Sequence, residues 1–71
     1  MNEIRQERYN ILWKNFQKNK YEFYRLMELS ALIDAQANIT LKVLREMEEE
    51  GIIEKYKSGN DVVYRLKKKR V

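Results

Sequence analysis

The stretch EMEEEGIIEKYKSGNDVVYRLKKKR, residues 46–70, changes both its charge and its period at Gly51. Before the glycine stand Glu46, Glu48, Glu49 and Glu50; after it come Lys55, Lys57, Arg65, Lys67, Lys68, Lys69 and Arg70. Past Gly51 the side chains alternate. In IIEKYK, Ile52, Glu54 and Tyr56 alternate with Ile53, Lys55 and Lys57; in VVYRLK, Val62, Tyr64 and Leu66 alternate with Val63, Arg65 and Lys67. A period of two is the pattern of a strand, and SGND supplies the glycine and asparagine that a tight reversal needs. The stretch therefore predicts a β-hairpin. Its alternation is read as placing Lys55, Lys57 and Arg65 on a face with Ile53 and Val63, apart from Tyr56 and Tyr64.

Upstream of Gly51 the period is helical. Residues 37–50 predict a helix that stops at Gly51, with Thr40, Leu44 and Met47 as an inward row at spacings of four and three. Asp34 and Gln36 interrupt the apolar run before it with capping chemistry. A second helix is expected from residue 21 or 22 to 32, with Phe23, Leu26, Met27 and Leu29 inward and Glu22 and Arg25 outside, although YEFY also fits a short strand. A first helix is expected over residues 3–17, with Asn2 as its N-cap and Glu3 favoured by the helix dipole. Ile4, Tyr9, Leu12, Trp13 and Phe16 form its apolar stripe, with Arg5, Gln6, Lys14 and Asn15 opposite. The stripe serves a core, or a core together with a homodimer surface through Tyr9, Leu12, Trp13 and Phe16. The expected fold is mainly α with a C-terminal β-hairpin, an α+β domain in the order helix, helix, helix, strand, strand.

Composition narrows the function. Seventy-one residues suit one domain, close to the smallest size that one hydrophobic core stabilises. The chain has neither cysteine nor histidine. Disulfides and the usual zinc sites are thereby excluded, as are thiol nucleophiles and the commonest general base. An enzyme, a cofactor or a metal is not expected. No apolar run approaches the length that spans a bilayer, the N-terminus does not read as a signal peptide, and no small-molecule effector is evident. These features point to the cytoplasm, whether nucleoid-associated or a host cytoplasm if the protein is viral. The net charge of +4 is unevenly spread. Residues 21–51 carry a balance of −4 and residues 52–71 one of +5, so the basic part is also the part patterned as strands. That combination points to a polyanion.

The segment ELSALIDAQANITLKVLREMEEEGIIE, residues 28–54, resembles the winged helix-turn-helix family of small bacterial, archaeal and archaeal-virus regulators. Glu28, Leu29 and Ser30 match the family's opening, Ile33 the apolar residue before its turn, and Leu44, Met47, Glu48, Gly51, Ile52 and Ile53 its close. The likeness continues through the hairpin and covers about two thirds of the chain. It implies a single winged helix-turn-helix domain over residues 1–71, with a basic end at 67–71. It further implies that the third helix enters a major groove of double-stranded DNA while the hairpin lies on the backbone or in the minor groove. The implied contacts on the helix are Gln36, Ala37, Asn38, Leu41, Lys42 and Arg45. Leu41 departs from the polar residue common there; it meets a thymine methyl, or it turns inward with Ile39. The implied contacts on the wing are Lys55, Lys57, Ser58, Gly59, Asn60, Arg65 and Lys67, with the terminal KKKR adding sequence-blind affinity.

Acids at a helix C-terminus oppose the dipole at a cost of a few tenths of a kcal/mol each. Two accounts of Glu46 to Glu50 are open. The run sets a charge gradient so that only the N-terminal end of the helix meets phosphate, or it forms i,i+4 pairs such as Lys42–Glu46 and Arg45–Glu49. The function expected is that of a DNA-binding transcriptional regulator. The alternative is a winged-helix protein-interaction module in a replication or transcription assembly, using an exposed patch of Trp13 with Tyr9 or of Leu41 with Ile39.

Overall fold

The computed structural model describes residues 2–67, apart from the side chains of Asn2 and Ser58. The elements run α1 (Asn2–Lys18), β1 (Tyr24–Arg25), α2 (Leu26–Leu32), α3 (Ala37–Glu49), β2 (Ile53–Ser58) and β3 (Asp61–Leu66). The chain is thus a mixed α+β fold with three helices and a C-terminal hairpin, as its periodicity predicts. It adds one strand. Tyr24 and Arg25 pair antiparallel with Tyr64 and Val63, making a three-stranded sheet in the order β1-β3-β2.

This strand shortens the second helix. The helix begins at Leu26 and not at residue 21 or 22, because the Arg25 backbone is extended and its N–H donates to the Glu28 carboxylate at 2.8 Å. The inward face changes with it. Leu29 is fully buried, but Met27 is 83% exposed and Phe23 lies on the outer side of the sheet, so neither belongs to the core. In α1, Leu12 and Phe16 are fully buried and Tyr9 half-buried, whereas Ile4 and Trp13 are exposed. The helix already includes Asn2, which therefore does not stand before it as a cap. Asn15 is half-buried, and Arg5 faces α3, so those two do not lie opposite the core.

The core joins all three helices to the hairpin: Leu12, Phe16, Leu29, Ile33, Val43, Leu44, Met47, Ile53 and Tyr64. Thr40, Leu44 and Met47 are each fully buried, which fixes the rotation of α3. A buried hydroxyl costs stability unless it is bonded. Thr40 donates to the Gln36 carbonyl at 3.1 Å and accepts from Ser30 at 2.8 Å, a polar link between α2 and α3 inside the core.

The helices α2 and α3 end in the same way. At α3 the Gly51 N–H donates to the Glu48 carbonyl at 2.9 Å and the Ile52 N–H to Met47 at 3.0 Å, with Gly51 at φ 77°. At α2 the Asp34 N–H donates to Ala31 at 3.3 Å and the Ala35 N–H to Ser30 at 3.0 Å, with Asp34 at φ 49°. Each is a Schellman motif, in which a left-handed residue lets two N–H groups satisfy the last carbonyls. The α2 motif delivers the chain in three residues to Gln36, the N-cap of α3.

The hairpin turn is two residues long, since Ser58 pairs with Asp61. Gly59 has φ 62° and Asn60 does not share the left-handed region, the arrangement of a type II′ turn. A two-residue turn pairs odd positions of β2 with even positions of β3: Ile53 with Leu66, Lys55 with Tyr64, Lys57 with Val62. Opposed residues share a face. Lys55 and Lys57 therefore share the inner face with Tyr64, while Arg65 lies on the outer face with Glu54, Tyr56 and Val63. The alternation within each strand is as predicted; the matching of the two strands is not.

Candidate nucleic-acid interface

The burial of Thr40, Val43, Leu44 and Met47 turns the opposite side of α3 outward. Gln36, Ala37, Asn38, Leu41, Lys42 and Arg45 are all exposed, and all six lie on that outward side or at its N-terminal edge. Leu41 is thus outside, and only Ile39 is half-buried. Gln36 and Asn38 each present a paired donor and acceptor, and neither makes a side-chain hydrogen bond to another described residue. Lys42 and Arg45 form no ion pair among the described residues.

The acidic end of α3 is differently employed. Arg5 of α1 pairs with Glu46, and the Tyr9 hydroxyl donates to Glu50. Arg5 and Tyr9 are four apart on α1, as Glu46 and Glu50 are on α3, so one turn of each helix meets one turn of the other. These acids lock the C-terminal half of α3 to α1. Neither intrahelical pair, Lys42–Glu46 or Arg45–Glu49, forms. Burial, then the Glu50 hydrogen bond and the charges of Glu50 and Glu46, push the Tyr9 hydroxyl up to about 12. The matched spacing of Arg5 and Tyr9 with Glu46 and Glu50 is a signal present in the sequence, though the separation of 41 residues hides it.

The other flank of α3 runs beside the sheet. Burial raises the Tyr64 hydroxyl, the charge of Glu48 adds to the rise and that of Arg45 opposes it. α3 also packs directly on β2. Along β2 the inner face goes from buried Ile53 to exposed Lys55 and Lys57, so the hairpin outruns the helices toward its turn. Gly59 and Asn60 are exposed at the tip, and Lys67 is exposed at the base. The Ser58 side chain and residues 68–71, including Lys68, Lys69 and Arg70, lie outside the described residues.

Arg65 stands apart from the hairpin lysines Lys55 and Lys57. Its guanidinium lies 4.6 Å from the Phe23 ring centre and 5.5 Å from that of Tyr56, and the two rings meet edge to face at 5.6 Å. Glu54, directly opposite on β2, is 4.0 Å away and accepts the Tyr56 hydroxyl at 2.6 Å. Arg25 is likewise neutralised, 3.6 Å from Asp61. Cation–π and cross-strand pairing together brace the outer face of the sheet. A Phe23–Tyr56–Arg65 cluster is not legible in the sequence, since it needs both the extra strand and the register.

Among the described residues no helix is long and apolar enough to cross a membrane, and no three acids gather as metal ligands. Compared with family models, curated proteins and solved structures, the chain returns no match.

Proposed function

We propose that the chain is a winged helix-turn-helix DNA-binding protein, with the outward side of α3 as its reading surface and the β2–β3 hairpin as its wing. One observation carries this reading: α3 holds its N-terminal polar and cationic side chains unpaired, while Glu46 and Glu50 are consumed by α1. A helix so divided meets a duplex at one end only. Gln36 and Asn38 suit adenine edges, Lys42 and Arg45 guanine or phosphate, and Leu41 a thymine methyl. The short Schellman turn between α2 and α3 gives α2 the position of a brace across the backbone. Lys55, Lys57 and the tip at Gly59 and Asn60 supply the wing contact; Arg65 acts by stiffening the wing.

Titration of labelled duplex DNA at several salt concentrations tests the proposal. Binding should weaken steeply with salt, with a log–log slope of roughly −0.9 per phosphate contacted. Absence of binding at low salt would sink it. In a transcriptional regulator, dimerisation would place two α3 helices on half-sites about 34 Å apart. Leu12 and Phe16 are spent on the core, so of the four aromatic-stripe residues Trp13 is the exposed one. The second reading is a protein-interaction module, favoured by the exposure of Trp13 and Leu41 beside half-buried Tyr9 and Ile39. Reversing the charges of Lys42 and Arg45 separates the two, since it would spare a protein partner.

A further inference from the structure

We propose that the groove between the C-terminal half of α1 and the base of the hairpin binds a flat aromatic carboxylate. The groove has a volume of about 880 Å³, within the range of roughly 300–1,000 Å³ typical of small-molecule sites. Trp13 and Tyr21 line it, and Ile52 and Leu66 contribute apolar surface between them. Large aromatic side chains contribute most to stability when buried, yet Trp13 is 42% and Tyr21 75% exposed. Ile52 and Leu66 are half-buried against the core, so the apolar lining is fixed by packing and stands ready before a ligand arrives.

The polar groups choose the ligand's charge. Lys20 and Lys67 line the groove, both are exposed, and neither pairs with an acid among the described residues. Glu50 also lines the groove and accepts the Tyr9 hydroxyl; the two lysines outnumber this one acid. Aromatic walls with unpaired ammonium groups beside them fit a ring system carrying one anionic group: the ring stacks on Trp13 or Tyr21 and the carboxylate meets Lys20 or Lys67. A second copy of this chain fits less well, since a symmetric contact brings like charges together. The site shares Lys67 with the contacts expected for nucleic acid, and Gly51 and Ile52, which link α3 to the hairpin, lie in its wall.

Trp13 is the chain's single tryptophan, so its indole N–H gives one resonance in an amide correlation spectrum. The full-length protein would be titrated with 2-naphthoate and, separately, with the neutral 2-naphthamide. Naphthoate should move the indole resonance saturably and bind roughly five-fold more tightly than the amide, as expected for one exposed charge contact. The double variant Lys20→Gln, Lys67→Gln should lose that preference while keeping its amide spectrum otherwise unchanged. Tyr21→Ala, at so exposed a position, should fold normally and weaken naphthoate several-fold. No saturable shift, equal affinity for acid and amide, or indifference to these substitutions would each overturn the site.

Discussion

The two halves of α3 share one buried row and differ in everything that faces outward. From Gln36 to Arg45 the exposed polar and cationic side chains, Gln36, Asn38, Lys42 and Arg45, are unpaired among the described residues, with Ala37 and Leu41 exposed beside them. Past Arg45, Glu46 and Glu50 reach back to Arg5 and Tyr9. Acids at a helix C-terminus are unfavourable for that helix alone, yet Glu46 and Glu50 meet partners from α1, and for these two the dipole cost of a few tenths of a kcal/mol per acid is offset by a contact of similar size. The difference teaches that one helix is divided in two, with free polar and cationic side chains at its start and attachment to α1 at its end, by which charges the rest of the fold engages.

The comparison breaks if the two ends respond alike to substitution. The largest effect expected is on DNA affinity: Lys42→Glu with Arg45→Glu should reduce duplex binding by at least about tenfold, measured by fluorescence anisotropy, with little change in Tm. A large loss of Tm would mean that this end is structural as well. Next is Gly51→Ala. A Cβ there meets nothing within 4 Å, so the cost is that of a left-handed backbone alone, about 1–2 kcal/mol by urea denaturation. DNA affinity of the folded fraction should be unchanged.

Smaller is Arg5→Ala, expected to cost about 0.2–1 kcal/mol because the pair with Glu46 is partly solvated, and to be offset in part in high salt. The smallest effect sharpens the same contact through pH. The Tyr9 hydroxyl is raised from 10.0 to about 12 in the fold. Below pH 10 it is neutral in both states and its stabilisation is complete; between about 10 and 12 the unfolded chain ionises first and stability falls. Tyr24, Tyr56 and Tyr64 are shifted in the same direction, so they too contribute to the loss of stability above pH 10. Tyr9→Phe should therefore make the alkaline decline shallower without removing it, as read by chemical denaturation at successive pH values.

Much of the fold was legible because its signals are local. The switch of period at Gly51, the SGND reversal and the row Thr40, Leu44, Met47 each lie within a few residues, and the structure contains all three. The inward row also determines the outward one, so the six exposed positions of α3 follow from sequence once its rotation is known. Legibility failed where two distant segments had to meet. YEFY fits helix or strand by itself, and the Tyr24–Tyr64 pairing spans 40 residues. The hairpin's facing pattern failed for a different reason: alternation fixes which residues of one strand share a face, but the turn length decides which face of the other strand they join.

By itself, then, the sequence determined three helices and a hairpin, because backbone conformation responds to neighbours a few residues away, and it determined how charge is divided along α3; β1 and the start of α2 needed the pairing with β3. Only the tertiary structure decided which charges remain free. Arg65 is absorbed by Phe23, Tyr56 and Glu54, Arg25 by Asp61, and Glu46 and Glu50 by α1, and each of these depends on chain segments brought together by burial of a shared core. Charge is carried by residues one at a time, whereas its availability to a partner is a property of pairs.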